Sequence, residues 1–290
     1  MSLRRRLVLV HRRTEYEELL RRHGTHGQAE FFLRTRGRDL AQVQAMHDAV
    51  EGARAAVAAA VPPEWAWTEV EREDLGRFLF APEDVVLVVG QDGLVANVAA
   101  SLDGQPVIGV DPLPGENAGV LVRHSIDEVP ALLGRVEAGT LPVRELTMVR
   151  AHLDDGQELT ALNEVFVGHP SHQSARYVLA GERQSSSGLV VGTGTGATGW
   201  CASLAHERGG RELPAPDESR LAWFVREAWP SPTTGVEHTE GSLGPDQSLE
   251  LRVDSDELVV FGDGMEAERL TATWGQTVRI SIAPRTLRLV

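Results

Sequence analysis

The sequence contains no lysine: all 28 of its basic residues are arginine. That absence removes whole classes of chemistry. Schiff-base catalysis needs a lysine amine. The phosphate loop G-x-x-x-x-G-K-[ST] and the strand lysine of protein kinases need one too. A chain of this composition that handles phosphate must use backbone N–H groups, arginine and metal ions. Cysteine is nearly absent as well. Cys201 stands alone, so no internal disulfide forms and a zinc site built from several thiolates is excluded. A reducing, cytoplasmic setting is expected. No run of about 18 apolar residues occurs, so no membrane partner is expected. The start, MSLRRRLVLVHRR, lacks the small-residue cleavage site of a signal peptide. No dense basic block follows it, and the net charge is −14, so nucleic acid is not an expected partner. There is no G-x-S-x-G, which argues against a hydrolase elbow.

What is present is a soluble-protein composition, 42% hydrophobic and 24% charged over 290 residues, enough for one large or two ordinary domains. Residues 7–10 read as a first buried strand and 15–22 as a helix. The Ala-rich stretch 39–60, ended by Pro62-Pro63, predicts a longer helix. Residues 65–70 read as a strand. The run 85–89, rich in Val, suits a parallel strand covered on both faces. Leu94, Val95, Val98, Ala99 and Leu102 then repeat at helical spacing, and 106–110 gives another short strand, completing a βαβ unit. Residues 125–138 predict a short helix. Beyond it the pattern changes to strands: 143–152, 161–167, 176–180, 189–191, 249–253, 258–261, 270–274 and 278–282. Leu249, Leu251 and Val253 alternate as strands with one exposed face do. Residues 207–219 read as loop. The expected organisation is an α/β domain over 1–125 and a mainly β domain over 126–290, with the last strands returning to the first domain.

Three stretches carry polar residues where chemistry would need them. Gly90-Gln91-Asp92-Gly93 interrupts an apolar run at the carboxyl end of a predicted parallel strand, where ligands of open α/β sheets sit. The following helix, expected to begin near Leu94, offers free N–H groups that favour phosphate. A carboxylate there accepts a proton from an attacking hydroxyl, helps hold a metal ion, or simply caps the helix. The second stretch is the loop around Thr193-Gly194-Thr195-Gly196-Ala197-Thr198-Gly199-Trp200. It formally fits G-x-G-x-x-G, but it stands late in the chain among β segments. It presents N–H and O–H donors to a polar ligand, or it is a plain turn. The third is Asn163-Glu164, a polar pair inside an apparent strand, whose partners are a ligand's hydroxyls or neighbouring backbone. His169-x-x-His172 lacks a third ligand and reads as a surface loop. Phe261-Gly262-Asp263-Gly264 repeats the Gly-Asp-Gly core, but between strand-like runs a hairpin turn accounts for it.

Taken in this order, the three stretches resemble the NAD kinase family, with its Gly-Gly-Asp-Gly-Thr motif after a buried strand, its Asn-Glu pair and its Thr-Pro-Thr-Gly-Ser-Thr-Ala-Tyr loop. The resemblance covers roughly residues 85–204. It implies a Rossmann-like α/β domain followed by a β-rich domain. It also implies ATP-dependent phosphorylation of the adenosine-ribose 2′-hydroxyl of NAD, with Mg²⁺ and a homodimer or homotetramer. On that match Asp92 is the base or orienting acid, while Gly90, Gln91, Gly93 and Leu94 bind phosphate or nucleotide. Asn163 and Glu164 hold ribose hydroxyls. Ser187, Thr193, Thr195, Gly196, Thr198, Gly199, Trp200 and Ser203 bind the rest of the substrate; no residue is assigned to the metal directly. The sequence departs from the family at several of these positions. Gln91 replaces glycine, Leu94 threonine, Gly194 proline, Ala197 serine, Gly199 alanine and Trp200 tyrosine. Ser187 stands where the family has Asp, and Ala118-Gly119-Val120 where it has Leu-Gly-Phe. Two further readings therefore stay open: a kinase of the same fold for a sugar, nucleoside or natural-product hydroxyl, and a non-catalytic nucleotide-binding protein.

Overall fold

The structure, a computed structural model of the chain, describes residues 5–115 and 119–290. Ala118 lies outside them. The chain divides into two compact units, Met1–Val143 with Arg288–Val290, and Arg144–Leu287. Strands and helices are numbered in chain order.

The first unit is built on β1 (Arg6–His11), β2 (Ala66–Glu71), β3 (Asp84–Val89), β4 (Pro106–Val110) and, from the far end of the chain, β18 (Leu287–Leu289). They lie parallel in the order β2-β1-β3-β4-β18. β3 is buried at every position, as a central strand covered on both faces must be. The helices are α1 (Glu15–His23), α2 (His26–Arg34), α3 (Leu40–Ala60), α4 (Asp92–Ala99) and α5 (Val129–Glu137). Thr14 and Glu17 close a capping box on α1, and Asp39 caps α3. α2 has no counterpart in the sequence reading. Thr25 caps it, and it buries only Ala29 and Leu33, too few apolar residues to show a stripe.

The domain boundary falls at Val143, against the expected 125. The reason is α5. Its Val129, Leu132, Leu133 and Val136 pack into the same cluster as Leu7, Leu9, Val85 and Leu87, so the helix belongs to the first core. The helix after Gly90-Gln91 also starts earlier than expected, at Asp92 rather than near Leu94.

The second unit begins with β5 (Arg144–Leu146), followed by β6 (Val149–Leu153), β7 (Glu158–Ala161), β8 (Glu164–Gly168), β9 (Ala175–Leu179), β10 (Glu182–Ser186) and β11 (Leu189–Gly192). After α6 (Trp200–Glu207) come β12 (Leu221–Val225), β13 (Glu240–Leu243), β14 (Ser248–Val253), β15 (Glu257–Gly262), β16 (Leu270–Thr273) and β17 (Thr277–Ile282). Two antiparallel six-stranded sheets result, ordered β10-β9-β14-β17-β6-β7 and β13-β12-β11-β8-β15-β16. Alternate residues such as Leu249, Leu251, Val253, Val165 and Val167 form one large apolar cluster. On the other face of the second sheet, α6 covers Phe166, Val190 and Phe224. The expected strand over 161–167 is broken: β7 ends at Ala161 and β8 opens at Glu164, leaving Leu162 and Asn163 between them. Among the described residues no helix is long and apolar enough to cross a membrane.

The segment after β4 folds back onto Gly109. A Cβ there would run into the Leu121 carbonyl oxygen and lie 2.9 Å from Val122 Cα. Gly109→Ala is expected to lower stability by about 1–3 kcal/mol, as overpacking does, read from urea denaturation. An unchanged midpoint would show that this close approach does not hold the segment.

Candidate functional site

In the first unit, three parallel strands end around one cavity of about 270 Å³. Arg12 follows β1, Gly90 follows β3 and Asp111 follows β4, and all three line it together with Thr14, His47 and Gln91. This is the carboxyl edge of the sheet, where open α/β folds take their ligands. The Gly90 N–H donates to the Val110 carbonyl at 3.1 Å, which fixes the turn out of β3. Gln91 is the N-cap of α4 and makes no side-chain cap bond. Arg13 is bound by Glu71 and Glu73. Arg12 makes no hydrogen bond or ion pair with the described residues, so its exposed guanidinium is free for an anion. The Asp111 carboxylate uses Oδ1 to accept the Leu113 N–H at 2.9 Å.

Asp92 does not cap the helix. It is the first helical residue, and its carboxylate reaches across to the segment that follows β4. Oδ2 accepts the Val120 N–H at 2.8 Å, and Oδ1 accepts those of Leu121 and Val122 at 2.9 Å each. An ionised carboxylate has about four acceptor positions, so one remains on Oδ2. Gly93, next to it, is exposed. The Leu94 side chain is buried, and its N–H donates to the Gln91 carbonyl at 2.9 Å. Val120, where an aromatic residue was expected from the family, is exposed.

In the second unit the Asn-Glu pair and the Thr/Gly loop are brought together. The Thr193 N–H donates to the Asn163 carbonyl at 2.9 Å, and its hydroxyl donates to the Leu162 carbonyl at 2.6 Å. That hydroxyl oxygen in turn accepts the N–H groups of Thr195 and Gly196 at 3.1 and 3.4 Å. A Cβ at Gly196 would strike the Asn163 carbonyl and lie 3.1 Å from Glu164 Oε2, so only glycine lets the loop approach the carboxyl. Two polar groups face this junction without partners. Thr195 is buried and its hydroxyl has no hydrogen bond to the described residues. The Glu164 carboxyl has no hydrogen bond to the described residues. Burial, and then the charge of Asp263, push Glu164 up to about 7. Nearby Cys201 is buried and pushed up to about 12 by burial and then by Glu164, so it is an inert thiol.

The other expected contacts lie apart from this junction. Thr198, Gly199 and Ser203 are exposed on the loop's end and the first turn of α6. Ser187, also exposed, donates its N–H to the Arg226 carbonyl at 2.9 Å. The Arg226 guanidinium lies 5.0 Å from the Trp200 ring centre, and Trp200 stacks on Phe166 at 5.5 Å. Ser187, Arg226 and Trp200 thus form a second, cationic and aromatic cluster that the sequence reading did not assemble.

Asp263 is the residue that reading missed. It sits in the turn after β15, and its carboxylate accepts the N–H groups of Leu162, Asn163 and Glu164 at 2.7, 2.7 and 3.3 Å. Its own N–H donates to the Glu164 carbonyl at 3.1 Å. The repeat of Gly-Asp-Gly was the available signal.

Because Glu164 is raised above its ordinary value near 4.5, the folded state binds its proton more tightly than the unfolded chain. The stability this contributes is complete below about pH 4.5 and is lost as the pH rises through about 7. Glu164→Gln is therefore expected to be more stable than the parent at pH 8, by roughly 1–3 kcal/mol, and no more stable at pH 4. Equal differences at both pH values in thermal melts would contradict the raised carboxyl.

Several known proteins resemble this chain. An NAD kinase of Saccharophagus degradans is 34% identical over 153 residues, covering 47% of this chain and 50% of that protein. This chain therefore spans about half the length of that relative. The NAD kinase of Caldicellulosiruptor saccharolyticus is 23% identical over 71% of this chain and 75% of its own. That of Chlorobaculum tepidum is 23% identical over 76% and 74%. No family model matches. Among solved structures, an Archaeoglobus fulgidus NAD kinase in complex with ATP aligns over 98% of this chain and 92% of its own, at 15% identity and a TM-score of 0.60. That likeness shows the fold. The sequence relatives named here are NAD kinases, and the α/β and β-rich units share the fold of one.

Proposed function

We propose that this protein transfers the terminal phosphate of ATP to a small-molecule hydroxyl, the adenosine-ribose 2′-hydroxyl of NAD. The acceptor oxygen attacks phosphorus, the bond to the ADP oxygen breaks, and the hydroxyl proton leaves to solvent. The observation that carries this reading is the Asp92 carboxylate, held by three amides and next in sequence to Gln91, which lines the cavity at the strand ends. Phosphoryl transfer asks for positioning and charge neutralisation more than covalent chemistry. The remaining acceptor position on Asp92 Oδ2 takes the hydrogen bond of the attacking hydroxyl and orients its oxygen. Arg12 supplies the positive charge that lysine provides elsewhere. Mg²⁺ binds through oxygen, with one or two carboxylates and the substrate's phosphates. Asp111, with one oxygen free in the same cavity, fits that donor set and would hold it. When bound, the ion neutralises phosphate charge.

In the second unit, Glu164 and the Thr195 hydroxyl lack hydrogen-bond partners among the described residues and suit a ligand's ribose hydroxyls, with Asn163 beside them. The lone, buried cysteine is consistent with work in the cytoplasm. The family likeness favours a homodimer or homotetramer. A second reading, a same-fold kinase for another hydroxyl compound, is favoured by one observation. Ser187 replaces the family's acid, and a guanidinium lies over Trp200 next to it. An acceptor whose far end carries negative charge would gain there.

Purified protein with ATP and Mg²⁺ is expected to convert NAD to NADP, identified by product mass. Product only from another nucleoside or sugar would support the second reading. Nucleotide binding with no product from any acceptor would overturn both. Asp92→Asn should lower kcat by about a hundredfold or more with folding intact, and unchanged turnover would remove the carboxylate from the mechanism. Arg12→Ala should raise KM for ATP about tenfold while kcat changes little; an unaltered KM would place the donor elsewhere.

A further inference from the structure

Asp263 sits in the turn after β15 at a φ of 50°, in the left-handed region that aspartate tolerates. Its carboxylate is deeply buried and accepts three consecutive backbone N–H bonds from residues 162–164. Those residues form the break between β7 and β8 that presents Asn163 and Glu164. Burial raises Asp263 to about 6 against the pull of its three amide donors, whereas Glu164 stands at about 7 with no donor of its own. Its three amide donors favour the charged form of Asp263, whereas Glu164, buried without a donor among the described residues, favours its protonated form. The groups facing Glu164 are Asp263 from the turn after β15, Cys201 from α6 and the loop at Gly196.

We propose that Asp263 is a positioning residue of the acceptor site. It clamps the Asn163-Glu164 break and, through its charge, holds the Glu164 carboxyl in a protonated state that a ligand with adjacent hydroxyls discharges. Hydrogen bonds to a carboxylate favour its charged form. A vicinal diol supplies the O–H donors that Glu164 lacks, so below neutrality acceptor binding releases up to one proton from Glu164 to the solvent. Affinity for the diol then rises with pH up to neutrality and levels off above it. The diol's identity as the NAD ribose rests on the kinase reading above; the clamp and the held proton do not.

The test has a ligand-free half and a ligand half. In the free protein, ¹³C NMR of the glutamate carboxyls is expected to show Glu164 titrating near neutrality. Asp263→Asn should bring that titration down by about one pH unit or more and speed exchange of the amides at 162–164 by about tenfold or more. Glu164 titrating in the ordinary carboxylate range, or unmoved by Asp263→Asn, would overturn the proposal. If Asp263→Asn does not fold, Glu164→Gln leaves the clamp in place and decides the matter. With it, the amides at 162–164 stay protected, and calorimetry of NAD binding in buffers of different ionisation enthalpy should lose the proton released by the parent protein. Proton release that persists in Glu164→Gln would overturn the proposal. A parent protein that binds no NAD sinks the kinase reading and leaves the carboxyl titration to judge the clamp.

Discussion

Each unit depends on an aspartate that binds three consecutive backbone amides where regular structure is interrupted. Asp92 does this for Val120, Leu121 and Val122, and Asp263 for Leu162, Asn163 and Glu164. Backbone N–H groups withdrawn from water must find acceptors, and hydrogen bonds to a charged acceptor contribute about 1.5–3 kcal/mol each. An irregular segment gains a fixed shape in this way without a ladder of its own. In the first unit the shaped segment lies across Gly109 at the end of the sheet. In the second it carries the Asn-Glu pair and supplies the carbonyls that anchor Thr193 and its loop. In both, the aspartate lies within or beside glycines, where the backbone can turn sharply at the end of a strand.

The absence of lysine shapes the charge chemistry around these clamps. Guanidinium groups stay charged at any working pH and form planar, forked contacts, so the cations are used as fixed struts. Arg6 on Asp84, Arg54 between Glu51 and Glu69, and Arg13 between Glu71 and Glu73 are examples. Against this background of paired cations, an arginine left unpaired at a cavity is the exception. Arg12 is such a residue in the first unit. In the second unit Arg226, 3.7 Å from Glu227, lies over the Trp200 ring beside Ser187.

Much of the architecture was legible because its signals are local. The apolar runs that became β1, β3 and β4, the Ala-rich α3, and the alternation of β14 need only a few neighbouring residues to declare themselves. The resemblance to NAD kinases rested on stretches of that kind. What escaped is non-local or lacks contrast. β10 buries Gln184, Ser185 and Ser186, polar residues whose partners lie elsewhere, so no apolar alternation marks it. α5 reads as a helix, but which core it joins is decided by contacts with β1 and β3. Asn163 and Glu164 appeared to sit inside a strand because Ala161, Leu162 and Val165 flank them with apolar side chains. The break exists because an acceptor 100 residues downstream takes the Asn163 amide. Asp263 itself read as a hairpin turn, which it is. Its second role depends on where that turn points, and no window of sequence contains both partners.

The second side of β4 is paired by residues that follow the whole of the second unit in the chain. Leu289 pairs with Val107, and the Val290 N–H donates to the Val107 carbonyl. As the ribosome delivers the polypeptide, β4 must wait with one edge open while some 180 further residues emerge, whereas the strands of the second unit arrive together. Assembly order is thus the reverse of reading order: the later-made part can finish first, while β4 keeps an edge that invites aggregation until Leu289 reaches it.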